Sequence, residues 1–544
     1  MSPWKLAGSV SIAAAVSTLL TNSPSLAQLT VQTTSPAMNA HNVDRNQPVS
    51  VTFDRPVNPA SFSPLNFRVF GKLTGVVDGS LTFTNGGRTV SLAPDRPLMA
   101  GELVMVVMSR NLRAADGSSL RSAGYSFLYN TATTPHALRF RKHATVSNRT
   151  GGPGGPQTRI YGGLASDLNG DGWPDITTIN EVSADVRVFL NPADGSMNLS
   201  PMLTPHTPLP YEASPNDVAD FDSDGILDMV TSSDGSDQIA VCFGIGDGAF
   251  RTPLLINVGD NPRGFGIVDA DGDGDFDITV ACANANLVAI ILNNGNGTFA
   301  APVNMPVSGG PYGMMAADMN NDGILDLAVG CRSDQTARVL RGNGDGTFTQ
   351  VSSRPMGGAN WVVVVGDLNN DGHMDISGAN SFSSNGSILL GNGDGTLQPA
   401  TVYPIGGHSV SSDLADLDGD GDLDWIVSSF GAGAWYCYLN NGAGVMTPLI
   451  NFPAPNNPSC AIPVDYDNDG DMDLVLTDEI ADVLIVMENV CPGDFNGEGG
   501  LSVQDIFDFL TAYFAADPAT DFNGSGSVTV QDVFDFLTGY FDPC

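Results

Sequence analysis

Seven short runs in this chain place carboxylates at alternate positions around a glycine, in the form D-x-[DN]-x-D-G-x-x-D. They begin at Asp167, Asp220, Asp269, Asp318, Asp367, Asp416 and Asp465; the first step is 53 residues and the other five are 49 each. Side-chain oxygens at alternate positions of a tightly turning backbone converge on one point, and the glycine permits a turn that residues with a Cβ resist. Hard oxygen ligands in a flexible set of six to eight are the chemistry of Ca²⁺, whereas Mg²⁺ demands a stricter octahedron. The candidate ligands stand at positions one, three, five and nine. They are Asp167, Asn169, Asp171 and Asp175; Asp220, Asp222, Asp224 and Asp228; Asp269, Asp271, Asp273 and Asp277; Asp318, Asn320, Asp322 and Asp326; Asp367, Asn369, Asp371 and Asp375; Asp416, Asp418, Asp420 and Asp424; and Asp465, Asp467, Asp469 and Asp473. The amide oxygens of Asn169, Asn320 and Asn369 can still coordinate. The alternative is an acidic surface turn that holds no metal. Clustered carboxylates repel one another, and seven copies in register would accumulate that cost without a cation.

Charge balance points the same way. The chain carries 60 acidic against 22 basic residues, a formal charge of −38. Nearly half of those acids stand inside the seven loops, so about seven Ca²⁺ ions would offset much of the excess. A nucleic-acid partner is not expected, because phosphate binding needs basic stripes that this chain lacks.

The elements that position the loops follow from the period. After each loop comes an apolar run, as in Leu325-Asp-Leu-Ala-Val-Gly330, then a second, as in Ala337-Arg-Val-Leu340. The second ends at a Gly/Asn turn such as Gly342-Asn-Gly-Asp-Gly-Thr-Phe348 or Gly391-Asn-Gly-Asp-Gly-Thr396, and Asn-Gly and Asp-Gly are strong hairpin signals. A third run, a glycine break and a further strand lead into the next loop. Four short strands per fixed repeat predict propeller blades; a β-solenoid is the alternative, but its repeats are usually shorter. The last repeat stops at Cys491 without an outer strand, and a strand-like segment at 137–146 precedes the first repeat. The expectation is that 137–146 completes the seventh blade; a plain linker strand is the other reading.

These repeats resemble the FG-GAP/VCBS family of calcium-binding propeller repeats, whose best-known relatives form the integrin α-subunit head. The resemblance covers roughly residues 137–490 and implies Ca²⁺ at the four loop positions named above. Phe-Gly and Gly-Ala-Pro signatures are mostly absent, so the bacterial VCBS variety is the closer match and integrin-type ligand recognition is not implied.

The ends of the chain read differently. Residues 1–27 have the pattern of a secretory signal peptide, with Lys5, an apolar Leu6–Leu20 core and Ser25-Leu26-Ala27 at the cleavage site. The core is short for a membrane anchor, and no other span is evident, so a mature chain without a transmembrane segment, secreted from a bacterium or held at its surface, is expected. Residues 28–134 carry runs such as Val49-Ser-Val-Thr-Phe53, Ser80-Leu-Thr-Phe83 and Leu103-Val-Met-Val-Val-Met108 between turns, which predict an antiparallel sandwich. The string from Thr34 through Val51-Thr-Phe-Asp-Arg-Pro-Val57, with Leu98–Leu103 and Asp116-Gly117, resembles the bacterial Ig-like domains of surface-layer proteins, which are usually spacers.

Residues 491–544 hold a duplication. Asp494-Phe-Asn-Gly and Asp521-Phe-Asn-Gly each open a twelve-residue EF-hand-like loop that closes at Asp505 or Asp532 and runs into an amphipathic segment. One loop and one helix, twice, resembles a dockerin, the module that docks secreted proteins onto cohesin-bearing partners. The resemblance implies up to two further Ca²⁺, held by Asp494, Asn496, Glu498 and Asp505, then by Asp521, Asn523 and Asp532. Ser525 replaces a carboxylate in the second loop. Val503-Gln504 and Val530-Gln531 replace the usual hydroxylated recognition pair, so a cohesin-like or other cell-surface partner outside the cellulosomal kind is expected. A self-contained EF-hand pair is the alternative.

Seven cysteines are present. Cys491 and Cys544 bracket the small C-terminal unit, where a bridge would stabilise most; Cys282 and Cys331 read as buried blade residues. No CxxC pair points to structural zinc, and no nucleophile elbow, zincin or P-loop motif occurs. The expected class is therefore a non-enzyme. Residues at the start of each predicted inner strand, Tyr161, Arg263, Tyr312, Trp361 and His408 among them, could form a rim that stacks on a glycan or contacts a protein; plain strand-edge packing is the other reading. The whole is expected to be mainly β: a seven-bladed propeller over 135–490 between an Ig-like sandwich and a small α-helical dockerin-like module. The function expected of it is a secreted, calcium-stabilised binding or adhesion protein, with a lyase-like polysaccharide enzyme or a purely structural envelope protein as alternatives.

Overall fold

The computed structural model of the protein describes residues 28–541 except 136–137, 212, 234, 492, 497–500, 518–519, 521 and 523–526. The expected signal peptide lies outside the described residues. The chain is mainly β, with two short helices near its C-terminus.

Two sheets face each other in the N-terminal region. One has the order Val31–Ser35, Val49–Phe53, Thr89–Pro94, Gly79–Thr84, and the other Ala40–Val43, Tyr125–Thr131, Leu103–Met108, Phe67–Gly71, Gly75–Val76. Val49, Val51 and Phe53 point inward while Ser50 and Thr52 are half-buried, the alternation of a strand with one covered face. Leu103–Met108 departs from alternation: all but its first residue are buried. Val104, Val106 and Met108 belong to the sandwich core. Met105 and Val107, with Phe70 and Leu128, join the core of the repeats and pack with Leu227 and Phe276. A strand covered on both faces loses its polar alternation, and here the second cover is another part of the chain. The sandwich is therefore seated on the repeats and is not a free spacer.

Residues 140–489 form seven four-stranded antiparallel sheets. In the third, Pro262–Val268, Asp277–Cys282, Leu287–Ile291 and Val303–Pro306 follow in order; the first two strands are buried throughout and the last is largely exposed. The first strand of each sheet packs beside the first strand of the next, and Pro458–Val464 of the last packs beside Ile160–Ser166 of the first. This repetition is consistent with a propeller. The last sheet takes its outer strand from the far end of the repeat region: Phe140–Ser147 pairs antiparallel with Val483–Asn489, from Phe140↔Asn489 to Ser147↔Val483. Asp482 fastens the same junction. It is fully buried and accepts hydrogen bonds from Thr158 N and Oγ1, Arg159 N and Arg149 Nε.

The duplicated C-terminal segment forms helices α1 (Val503–Phe514) and α2 (Val530–Phe541). Ser502 caps α1, with Asp505 completing a capping box. Phe509 and Phe536, the same position in the two copies, are fully buried and stack with centroids 4.0 Å apart. Cys491 is disulfide-bonded; its expected partner, Cys544, lies outside the described residues. Cys242, Cys282, Cys331 and Cys437 are free and buried, and Cys460 is free and half-buried.

Candidate metal centres

Each acidic loop joins the first strand of a sheet to the second, so all seven emerge at one end of the sheet array. The third loop shows how the backbone builds the cluster. Asp269 accepts hydrogen bonds from Gly272, Asp273 and Gly274 N at 2.8, 3.0 and 3.0 Å, which curls the loop around its carboxylate. Gly274 sits at φ 100°, a conformation that essentially only glycine takes without strain.

The closing aspartate has a second role that the motif alone did not disclose. Asp277 accepts from Ala270 N at 2.8 Å and from Asn293 N, at the end of the third strand, at 2.7 Å. The same pair of bonds recurs at Asp175, Asp228, Asp326, Asp375, Asp424 and Asp473. These seven buried carboxylates tie the loop to the strand that follows it, and each oxygen keeps a lone pair for a cation.

The donor set fits a hard cation. One oxygen from each of Asp220, Asp222 and Asp228 lies within 4.8 Å of the others, and the same holds for Asp269, Asp271 and Asp273, for Asp416, Asp418 and Asp424, and for Asp465, Asp467 and Asp473. The other three loops have Asn at the third position. The Oδ1 atoms of Asp222 and Asp416 are buried without a hydrogen-bond partner among the described residues. Burial first, and neighbouring carboxylates after it, push these groups far above the ordinary range: Asp220, Asp318, Asp416 and Asp465 to about 6, Asp175 to about 7, and Asp228, Asp326, Asp375 and Asp424 to about 8. Asp269, Asp277 and Asp473 are raised well above it. A divalent ion bound there would counter these shifts by favouring the charged carboxylates.

The sandwich reaches all seven loops, mostly through their outer carbonyls. Arg110 Nη1 donates to Asp271 O at 2.6 Å and Ser109 Oγ to Asp273 O at 2.7 Å. Arg68 donates to Asp220 O and Ser223 Oγ, Arg121 to Asp322 O and Gly323 O, Asn39 to Gly372 O, and Thr134 N to Gly470 O. Three contacts meet a first-position carboxylate directly: Arg96 Nη2 lies 3.0 Å from Asp167 Oδ2, Thr133 Oγ1 donates to Asp416 Oδ2 at 2.8 Å, and Arg45 Nη1 lies 3.7 Å from Asp465 Oδ2. Arg121→Ala removes two charge-assisted bonds and should destabilise the sandwich–loop contact by about 1–3 kcal/mol. Faster protease cleavage between the sandwich and Phe140 in the variant, at unchanged far-UV spectrum, is the expected readout.

The C-terminal candidates are only partly in view. Asp494, Asp505 and Asp532 are buried and Asn496 N donates to Asp505 Oδ1 at 3.3 Å. Asp505 and Asp532 also accept from the residues that open their helices, Ser502 and Thr529. Glu498, Asp521 and Asn523 lie outside the described residues.

The rim candidates stand at the opposite end, because each opens the strand that a metal loop closes. Trp361 lies in Ala359–Gly366 and Asp367 follows that strand, a separation of roughly 20 Å at the extended rise per residue. The structure brings Tyr312 and Trp361 to 4.7 Å and Trp361 and His408 to 5.5 Å, with the Arg263 guanidinium 5.0 Å from the Tyr312 ring. Tyr161 makes no ring contact with them. Sequence reasoning missed Arg332, Phe382 and Phe430, which join the same cluster from the turns after the second strands. Arg332 and Phe430 occupy the sixth position after the closing Asp, so the repeat register could have found them. Phe382 is one position further on, because its strand, Asp375–Ser381, is one residue longer.

Comparison with known proteins bears on the repeats and on the sandwich. Six overlapping segments, 167–231, 220–280, 269–329, 318–377, 367–427 and 416–476, match the model of the FG-GAP-like repeat, and residues 27–131 match that of a bacterial Ig-like domain. No curated protein matches. Among solved structures, an Agrocybe aegerita lectin described as recognising non-reducing terminal N-acetylglucosamine is 18% identical, covering 79% of this chain and 94% of the lectin, with a TM-score of 0.42. The BBS1N chain of a complex with ARL6DN is 12% identical over 64% of this chain and 97% of its own, at 0.46. A Lactobacillus plantarum protein is 11% identical over 72% and 97%, at 0.43.

Proposed function

This chain belongs to the FG-GAP-like repeat family, and from that premise we propose that it is a seven-bladed, calcium-stabilised binding propeller exported from a bacterial cell. The observation that carries the reading is the division of labour between the two ends of the sheet array. One end holds the carboxylate loops and is covered by the Ig-like sandwich; the other is open and lined with aromatic rings and guanidinium groups. The covered end is structural and the open end presents the ligand surface, for a glycan or a protein.

The C-terminal pair of loops and helices acts in this reading as a dockerin-like anchor to a cell-surface or extracellular partner. Val503, Phe507 and Phe514 on α1, and their counterparts Val530, Phe534 and Phe541 on α2, are exposed, two copies of one apolar surface whose repetition suits a docking role. The expected result is that the full chain in Ca²⁺ adsorbs to envelope preparations of the producing cell, that F507D/F534D abolishes adsorption, and that chelation does the same. Adsorption unchanged in the double variant would remove the anchor from the proposal.

A second reading, a polysaccharide-active enzyme, draws on one group. Asp413 lines the cavity beneath the open end, and burial pushes its carboxyl up to about 7, against a hydrogen bond from Leu414 N. That is a range suited to general acid–base work. Incubation with a broad polysaccharide panel decides this reading: no reducing ends and no unsaturated products would end it.

A further inference from the structure

The open end holds a cation, rings and orphaned polar atoms that the metal loops do not use. The Arg332 guanidinium lies 5.2 Å from the centre of Tyr312, 4.8 Å from Trp361 and 5.1 Å from Phe382. Among the described residues no carboxylate pairs with it. Phe382 is 65% exposed and stands at φ 60°, a backbone conformation that a bulky residue rarely takes. Among the described residues, His408 Nε2 and the hydroxyls of Ser381 and Ser409 are buried without a hydrogen-bond partner. Beneath the rings lies a cavity of about 370 Å³, lined by Tyr312, Trp361, Ser412 and Asp413 among others, with Lys72 and Glu102 contributed by the sandwich.

Each of these features asks for a part of the same ligand. Rings hold a guanidinium in place by cation–π attraction but do not neutralise it, so Arg332 retains a full charge and a planar fork shaped for a carboxylate. A bare aromatic cage would suit a quaternary ammonium ligand; here a resident cation already fills that position. The exposed Phe382 and the half-buried Trp361, beside orphaned hydroxyl and imidazole groups, suit a molecule with an apolar flat face and a hydroxylated edge. We infer that the open end binds a carboxylate-bearing sugar, a uronate unit of an acidic polysaccharide, with Trp361 and Phe382 against the ring, Arg332 on its carboxylate and His408 on a hydroxyl. This rests on the reading of the propeller as a ligand-presenting body and names the class of ligand.

The large negative charge of the chain does not forbid an anion there. Charges farther away than about 8 Å are screened at physiological ionic strength; Glu181 and Glu479 are paired with Arg159 at 2.9 and 2.6 Å, and burial pushes Asp413, in the cavity wall, towards its neutral form.

The test is calorimetric titration of the full chain, at constant millimolar Ca²⁺, with oligogalacturonate, oligoalginate and oligoglucuronate, and with neutral oligosaccharides of equal length. At least one uronate should bind, R332Q should weaken it tenfold or more, and W361A should abolish it. Unfolding temperatures equal to the parent's in Ca²⁺ will show that both variants are folded. Uronate affinity unchanged in R332Q overturns the inference, as does binding of neutral sugars in preference to uronates, an outcome that leaves the ligand-presenting reading standing. Binding of neither class by the parent removes both the inference and the glycan form of that reading.

Discussion

Chelation of Ca²⁺ should lower the unfolding temperature of this protein by on the order of 10–20 °C. Extracellular calcium modules bind in the range of about 10⁻⁴–10⁻³ M, and a ligand held at tenfold to hundredfold its dissociation constant stabilises each site by about 1.4–2.7 kcal/mol. Seven such sites sum to about 10 kcal/mol or more, the scale of the whole stability of a domain. The pH dependence should reverse between the two states. Without the ion, the loop carboxylates have folded pKa values raised above their unfolded ones, to about 6 at Asp220 and about 8 at Asp228 and Asp424. The folded state then binds more protons than the unfolded state between pH 4 and 8, so apo stability falls as pH rises through that window. With the ion, binding needs the deprotonated carboxylates, and stability rises over the same window. Calorimetric scans at pH 5 and pH 8, in EDTA and in Ca²⁺, should cross. Parallel curves, or no shift on chelation, would remove the calcium reading.

Asp482→Ala should cost about 3–5 kcal/mol, the largest loss expected of a single substitution outside the metal loops. The carboxylate is fully buried and collects two backbone N–H groups, one hydroxyl and a guanidinium, all from the segment that leads into the first sheet. Truncation leaves those donors unsatisfied in a dry junction and strands the Arg149 charge. Asp116→Ala is the control: its carboxylate is exposed and meets the part-exposed Arg55 guanidinium at 3.3 Å, so the loss strands no buried charge and should be much smaller. Urea unfolding at constant Ca²⁺ measures both, and a cost for Asp482→Ala no larger than that of the control would mean that this junction does not hold the sheets together.

The acidic loops and their clustered carboxylates could be read from sequence because their information is local. Nine residues carry the candidate ligands, the glycine and the turn, and the spacing of 49 then places the sheets around them. The outer strand of the last sheet was visible as a surplus segment at 137–146 set against a deficit after Asn489, a comparison that needs only the repeat. Other features lay beyond that logic. The Leu103–Met108 run announces a strand buried on both sides, yet nothing in it says that Phe276 and Leu227 cover its second face. The dual role of Asp277 and its six counterparts depends on an N–H sixteen residues away, outside any motif window. Arg332 and Phe382 gain their meaning only when turns of neighbouring sheets converge on one axis.

The pairing of Phe140–Ser147 with Val483–Asn489 also sets an order of events. The partners Arg149 and Asp482 are 333 positions apart, and closing a flexible segment of that length costs about 5 kcal/mol in chain entropy before any contact is made. If the chain leaves the cell N-terminus first, that strand emerges early and must wait, its edge unpaired, until the last repeat has been delivered. Unpaired edges invite association between chains, and the formal charge of −38 opposes it by mutual repulsion. The same acidity that would collect calcium would thus also keep half-delivered chains apart. Maturation becomes a race in which the final repeat must arrive before a neighbouring molecule offers its own strand.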